Sequence, residues 1–176
     1  MAKTLARPKS SPRATGARKL AVRKAAPIAT KKTFEGIVDA CVRVPNGKNA
    51  FQVLSPAHLI QLLKAGLPVQ ELNELRGYLA MPLDKLVPML GISKATLHRR
   101  KSSGRLDVAE SDRVVRYARL LGRAAVVMES LENGRRWLAS PQVGLGGEVP
   151  LSFAQTEVGA REVEDLLGRI EYGVYS

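Results

Sequence analysis

The 176-residue sequence predicts an all-α fold that follows a basic N-terminal arm. Helix-start and helix-stop residues recur from residue 55 onward, at distances that suit short helices. Ser55-Pro56 is a capping serine followed by a proline at the first helical position, and Gly66 is a typical stop. Asp107 and Glu110 have the spacing of a capping box. Apolar residues recur every three or four positions between these signals, which indicates helices that pack through one face.

The helices can be placed in order from these signals. Pro68 and Pro82 each open a helix, Gly91 ends the second of them, and Ser93 caps the next. Three leucines form the inner face of the first helix, and four apolar residues form the inner face of the helix that Pro68 opens. These inner-face residues are Leu59, Leu62 and Leu63 in the first helix, and Val69, Leu72, Leu75 and Leu79 in the second.

The second half of the chain predicts three more helical segments. The capping box opens a long helix that we expect to run to about Leu131, with Asn133-Gly134 breaking it. Its expected buried face is Val114, Val115, Ala118, Leu121, Ala125 and Met128. The segment "RRWLAS" predicts a short helix that ends at Pro141. Thr156 can cap a final helix whose apolar stripe is Val163, Leu166, Leu167 and Ile170.

Charge divides the chain into three parts. Residues 1–32 hold ten Lys or Arg and no Asp or Glu, with too few apolar residues for a core, so we expect a disordered basic arm. Such an arm suits either non-specific nucleic-acid binding or a solubilising tail. Residues 141–176 hold two basic and six acidic residues. From Phe34 to Phe51 the pattern is weak, and "GIVDACVRV" fits a short strand and a helical turn equally.

Several classes of protein are excluded by composition. A single cysteine, Cys41, provides no disulfide framework, and His58 and His98 lack the neighbours of a metal site. No apolar run approaches the roughly 18 residues of a membrane helix, so we expect a cytoplasmic protein. The glycines of "VGLGGEVP" lack the spacing and the lysine of a phosphate loop. Since no nucleophile, base or metal cluster is assembled, we expect no enzyme activity and no cofactor.

The stretch "LGISKATLHRRKSSGRLD" fits a helix-turn-helix. Leu86 and Leu90 would lie on the inner face of the first helix, Gly91 in the turn, Ile92 just after it, and Leu97 on the inside of the second helix. The second helix would then present side chains that reach phosphates and base edges, which makes DNA the expected partner. The candidate DNA-binding residues are Ser93, Lys94, Ala95, Thr96, His98, Arg99, Arg100 and Lys101.

Two residues depart from the usual helix-turn-helix pattern. Pro88 falls inside the first helix, where it removes an amide donor, and Arg100 takes a position that is generally apolar. An ordinary solvated basic helix is therefore the alternative interpretation of this stretch.

The acidic end indicates a second binding surface. Its carboxylates, Glu162, Glu164, Asp165 and Glu171, fall on the polar side of the final helix, which suits solvent or a basic partner. After Gly173 the chain ends in Val174, Tyr175 and Ser176, and such apolar and aromatic ends anchor in clefts of partner proteins.

The sequence from about Leu54 to Ser176 resembles the Xre/MbcA/ParS-type antitoxins, partners of RES-domain toxins. The resemblance rests on two stretches. The first is the helix-turn-helix with the junction residues Gly104, Leu106, Glu110, Ser111, Asp112 and Arg113. The second is "RRWLASPQVGLGGEVPLSFAQTEVGAREVEDLLGRIEYGVYS", marked by Trp137-Leu138, Pro141, Leu145-Gly146-Gly147, Pro150-Leu151, Thr156, Gly159 and Glu171 to Ser176.

The resemblance implies a type II antitoxin with two working parts. Residues 33–110 would form an Xre-like helix-turn-helix domain that dimerises and represses its own operon, and residues 111–176 a small helical domain that blocks an NAD-consuming RES toxin. The residues expected to bind the toxin are Trp137, Leu145, Gly146, Gly147, Glu162, Glu171, Tyr172, Gly173, Val174, Tyr175 and Ser176. The alternative is a stand-alone DNA-binding transcriptional regulator with no toxin partner.

Overall fold

The computed structural model describes residues 56–174, and within that range it confirms the all-α prediction. The helices are α1 (Pro56–Ala65), α2 (Gln70–Leu79), α3 (Leu83–Met89), α4 (Lys94–Ser103), α5 (Val108–Val127), α6 (Leu131–Ala139), α7 (Pro150–Phe153) and α8 (Glu157–Glu171). A short 3₁₀ turn, Val143–Leu145, lies between α6 and α7. The predicted arm, the segment 33–53 with Cys41, the Ser55 cap, and Tyr175 and Ser176 lie outside the described residues.

The long helix α5 organises the molecule. It packs against α1, α2, α6 and α8, so both halves of the chain share one apolar core along it. The predicted boundary between residues 110 and 111 falls in the first turn of this helix. Tyr117, in the middle of α5, is fully buried and donates a hydrogen bond of 3.1 Å to the carbonyl oxygen of Leu151. Burial raises the pKa of Tyr117 to about 12, so its hydroxyl keeps its proton and remains a donor.

The capping predictions are confirmed at three helices. Ser93 and Thr156 each accept a backbone N–H from three residues further on, and Asp107 and Glu110 form the reciprocal capping box. The inward residues predicted for the Pro68 helix are all buried. That helix begins at Gln70, because Pro68 instead forms an isolated antiparallel bridge with Arg105.

The predicted end of the long helix was wrong. The α5 helix ends at Val127, Glu129 adopts a left-handed backbone with φ of 61°, and Ser130 caps α6. Asn133 and Gly134 lie inside α6 and break nothing. A Cβ atom at Gly134 would lie 2.7 Å from the backbone nitrogen of Ala125, so this glycine is needed where α6 lies closely against α5.

The final helix buries less of its stripe than predicted. Val163 and Leu167 are fully buried, but Leu166 and Ile170 are half-buried and line a surface pocket. Gly159 is buried where α7 meets α8, and a Cβ atom there would lie 1.9 Å from the carbonyl oxygen of Phe153. Gly159 would weaken an isolated helix, but here its missing side chain allows α8 to lie against α7.

Candidate functional site

The helix-turn-helix consists of α3, the turn from Leu90 to Ser93, and α4. Gly91 takes φ of 64°, and the N–H of Ile92 donates to the Val87 carbonyl at 3.0 Å, which closes α3 in a Schellman motif. Leu86, Leu90 and Ile92 are buried, as the sequence predicts. These contacts set the direction in which α4 leaves the turn.

Pro88 and Leu97 lie where α3 and α4 do not pack tightly against each other. Pro88 lies in the last turn of α3, and the helix ends one residue later, so its missing N–H affects only one turn. Leu97 is half-buried, not fully buried, because it lines an apolar pocket with Leu83 and Pro88 between α3 and α4.

Most of the predicted DNA-binding residues share the outer face of α4. The exposed ones are Ser93, Lys94, Ala95, His98, Arg99 and Lys101. Thr96 is half-buried, and its hydroxyl accepts a hydrogen bond of 2.9 Å from the hydroxyl of Ser93. Within residues 56–174, Lys94, Arg99 and Lys101 make no salt bridge, so their positive charge is available to an outside partner.

Arg100 does not lie on that outer face. Its Nε donates to Glu110 at 2.7 Å and its Nη2 to Asp107 at 2.6 Å, so its guanidinium joins the capping box at the start of α5. The hydrogen bond and charge of Glu110 raise the pKa of Arg100 above its ordinary value. The prediction that Arg100 contacts DNA is therefore corrected: the arginine occupies the inner position because two carboxylates there neutralise it.

Two further arginines hold the helix-turn-helix in place, and sequence reasoning gave them no role. Arg113 donates to the carbonyl oxygen of Leu90 at 2.8 Å, at the end of α3. Arg105 donates to the carbonyl oxygen of Gly66 at 2.7 Å, just after α1. Both satisfy carbonyls that helix ends leave without partners. The place of Arg113 in the junction motif was the available signal, whereas Arg105 had none, and both partners are distant in sequence.

A series of arginine–glutamate contacts, the α5–α8 ion-pair ladder, fixes the last helix. Arg116, Arg119 and Arg123 of α5 pair with Glu157, Glu164 and Glu171 of α8. The glutamates are seven residues apart, so they share one side of the helix. Burial raises the pKa of Glu157, but the guanidiniums of Arg119, Arg161 and Arg116 outweigh it and the pKa is lowered overall.

The ladder separates the acidic residues that the sequence grouped together. Glu164 and Glu171 are paired within the chain, whereas Glu162 and Asp165 are exposed and make no salt bridge to any residue in the described range. The prediction that Glu171 meets the partner thus applies to a carboxylate that Arg123 already holds. Glu171 is also exposed, so the exposed acidic groups of α8 without a salt bridge in the described range are Glu162 and Asp165.

The other residues predicted to bind a partner lie around the turn after α6 and at the end of α8. Trp137 is half-buried and Leu145 is buried, so both pack beneath the exposed residues of this surface. The exposed ones are Gly146, Gly147, Glu162, Glu171, Tyr172, Gly173 and Val174. The structure brings the turn after α6 against the last two turns of α8, whereas Glu162 lies in the first half of α8, and Trp137 and Leu145 contribute to packing.

Within residues 56–174, no group of three or more His, Cys, Asp or Glu side chains is arranged to hold a metal ion. No helix in the same range has the length and apolar character needed to cross a membrane.

Comparisons with known proteins match both halves of the structure. Residues 58–119 match the antitoxin Xre-like helix-turn-helix domain, and residues 123–173 match the antitoxin Xre/MbcA/ParS C-terminal toxin-binding domain. The two matches meet inside α5, which agrees with one helix shared by both domains.

Curated relatives match over most of their length. "Antitoxin Xre" of Yersinia enterocolitica is 35% identical over 121 residues, which cover 67% of this chain and 81% of that protein. "Antitoxin Xre" of Photorhabdus laumondii is 31% identical over 128 residues, or 72% of this chain and 86% of the relative. "Antitoxin Xre" of Pseudomonas putida is 30% identical over 90 residues, or 51% and 54%. With an Xre-like helix-turn-helix and a toxin-binding domain joined through α5, the chain belongs to the Xre family of antitoxins.

Proposed function

We propose that this antitoxin blocks a RES-type, NAD-consuming toxin through its C-terminal domain and represses its own operon through the helix-turn-helix. The observation that carries the proposal is the tandem arrangement on α5: one end carries a face of unpaired cations and the other a toxin-binding domain. The RES class rests on the resemblance of the stretch from Arg135 to Ser176 to antitoxins of that group. In this role the chain acts by binding and needs no cofactor.

The DNA half of the proposal assigns α4 to the major groove. Lys94, Arg99 and Lys101 would reach phosphates or guanine edges, while the free amides at the start of α4, behind the Ser93 cap, favour phosphate. Helix-turn-helix proteins bind paired half-sites about one DNA turn apart, so we expect a homodimer on the operator.

Arg99→Ala should weaken binding to the promoter upstream of this chain's own gene by tenfold or more. The loss of one bidentate base contact costs about 1–3 kcal/mol, and the loss of a phosphate contact lowers the salt dependence of binding. Fluorescence anisotropy with a labelled promoter fragment at several salt concentrations measures both effects.

The matched control is Arg136→Ala, which removes an exposed arginine from α6, outside the helix-turn-helix. Arg100→Ala is unsuitable as a test, because it leaves the buried carboxylate of Glu110 without its partner and so perturbs folding. If the intact chain and Arg99→Ala bound the promoter with equal affinity, Arg99 would not contact the DNA.

The toxin half of the proposal assigns the end of the chain to the mouth of the toxin's NAD pocket. The end of α8 lies next to exposed Tyr172 and Val174, whose apolar surfaces suit insertion into a cleft. A chain end held there would exclude the dinucleotide by occupying its space.

Truncation after Glu171 should abolish protection from the toxin encoded beside this gene. The truncated chain keeps the ion pair between Arg123 and Glu171 and loses the hydrogen bonds that close the end of α8, so we expect a small loss of stability and retained promoter binding. Growth of cells that express the toxin with either antitoxin measures protection. Full protection by the truncated chain would contradict the role of the tail, and absence of any toxic neighbour would favour a stand-alone regulator.

A further inference from the structure

We infer that a pocket between the turn after α6 and the outer side of α8 receives an apolar or aromatic side chain of the toxin, while Arg169 pairs with a toxin carboxylate beside it. The inference rests on the proposed function, and it adds a pocket contact beside the proposed contact of the tail.

The pocket has a volume of about 370 Å³, enough for one large side chain. It is lined by Gln142, Val143, Gly144, Leu166, Arg169, Ile170 and Val174. Its walls are mostly apolar, and Arg169 is the one positively charged residue among them. Arg169 makes no salt bridge to any residue from 56 to 174, so it can receive a carboxylate from outside.

One rim of the pocket is held rigidly in an exposed position. Val143 is 95% exposed, the most open of the large apolar residues that the structure describes. The turn that carries it is closed by hydrogen bonds from the Gln142 N–H to the Glu148 carbonyl at 3.0 Å and from the Gly147 N–H to the Gln142 carbonyl at 2.9 Å. The Gln142 side chain also donates to the Trp137 carbonyl at 3.0 Å. A rigid apolar contact loses little conformational entropy on binding.

The opposite rim is fixed by the end of α8. Gly173 takes φ of 68°, and the Val174 N–H donates to the Arg169 carbonyl at 2.9 Å, which completes a Schellman motif. This motif turns Val174 back over the pocket beside Ile170. Val174 therefore lies at the pocket's edge, and a partner that contacts the end of α8 also covers the pocket.

The position and chemistry of the pocket favour the toxin as its occupant. Its lining from Gln142 to Ile170 lies wholly within the stretch matched to the toxin-binding domain. Val143 and Val174 of the lining are exposed, and exposed Tyr172 follows α8, as at protein interfaces where one anchoring side chain enters a cavity. The guanidinium of Arg169 makes no salt bridge within residues 56–174, so the toxin should carry an acidic group next to its anchoring side chain.

The test compares the affinity of purified variants for the purified toxin from the adjacent reading frame. Ile170→Trp fills the pocket, and Ile60→Trp is its matched control, because it makes the same exchange at a half-exposed isoleucine on α1. Arg169→Glu reverses the charge at the pocket, and its control is Arg136→Glu on α6. We expect both pocket variants to bind the toxin at least tenfold more weakly, with promoter affinity and thermal stability unchanged, and both controls to bind normally.

Two results would overturn the inference in distinguishable ways. If both pocket variants fold and bind the toxin with normal affinity, the inferred pocket contact is wrong and the proposed function still stands. Failure of the intact chain to bind the adjacent toxin would remove the proposed function, and the pocket contact with it. Arg169→Glu is an independent second variant, because its side chain lies at the surface and the substitution leaves the core unchanged.

Discussion

Gly159→Ala should destabilise the protein by about 3 kcal/mol, even though alanine is the better helix former. The added Cβ atom would lie 1.9 Å from the carbonyl oxygen of Phe153 and 2.9 Å from its carbonyl carbon. Both atoms belong to the backbone of α7, so relief requires the two helices to move apart. Urea unfolding of the purified chain measures the free energy, and we expect toxin protection to fall with it.

Gly168→Ala is the matched control on the same helix, and it should have the opposite sign. No atom lies within 4 Å of the position its Cβ would take, so only helix propensity changes. We expect stabilisation of about 0.5–1 kcal/mol. If both substitutions changed stability equally, the close contact between α7 and α8 would be wrong.

Glu71→Met should stabilise the protein by about 2 kcal/mol more at pH 8 than near pH 4. Glu71 lies in the first turn of α2 and is fully buried, and neither of its carboxylate oxygens has a hydrogen-bond partner among residues 56–174. Burial and, to a lesser extent, the neighbouring charge of Glu74 raise the pKa of Glu71 from 4.5 to about 7. The folded chain therefore holds this proton more tightly than the unfolded chain does.

The sign of the pH dependence follows from that difference. Below pH 4.5 the carboxyl group is protonated in both states and costs nothing further. As the pH rises to about 7, the unfolded chain loses the proton first, so the free energy of unfolding falls across this window. A shift of one pKa unit corresponds to ~1.4 kcal/mol, and relaxation around the buried group reduces the total to about 2 kcal/mol.

Thermal unfolding at pH 4, 6 and 8 checks the prediction. Glu148→Met is the control, because it makes the same exchange at an exposed glutamate and should leave the pH dependence as it is. The prediction fails if the stability of the intact chain rises from pH 5 to 7 and Glu71→Met shows the same rise. That result would show that Glu71 does not cause the pH dependence.

The sequence by itself determined the helical fold, the caps and the two working parts. Helix caps are local: Ser93, Thr156 and the pair Asp107–Glu110 act on amides three residues away, so the printed order of residues suffices. The same holds for the helix-turn-helix, whose apolar positions fall at fixed spacings. The family resemblance extended these local patterns to the toxin-binding domain, and the comparisons agree with it.

Only the tertiary structure decided which charged groups are free and which glycines are needed. The ladder joins residues from 38 to 48 positions apart, so the sequence grouped Glu171 with Glu162, although within residues 56–174 only Glu171 has an arginine partner. Arg100 was assigned to DNA until its two carboxylate partners were placed beside it. Gly134 looked like a helix breaker until α5 lay against it. In each case the deciding contact comes from another helix, and periodicity along one helix carries no information about such a partner.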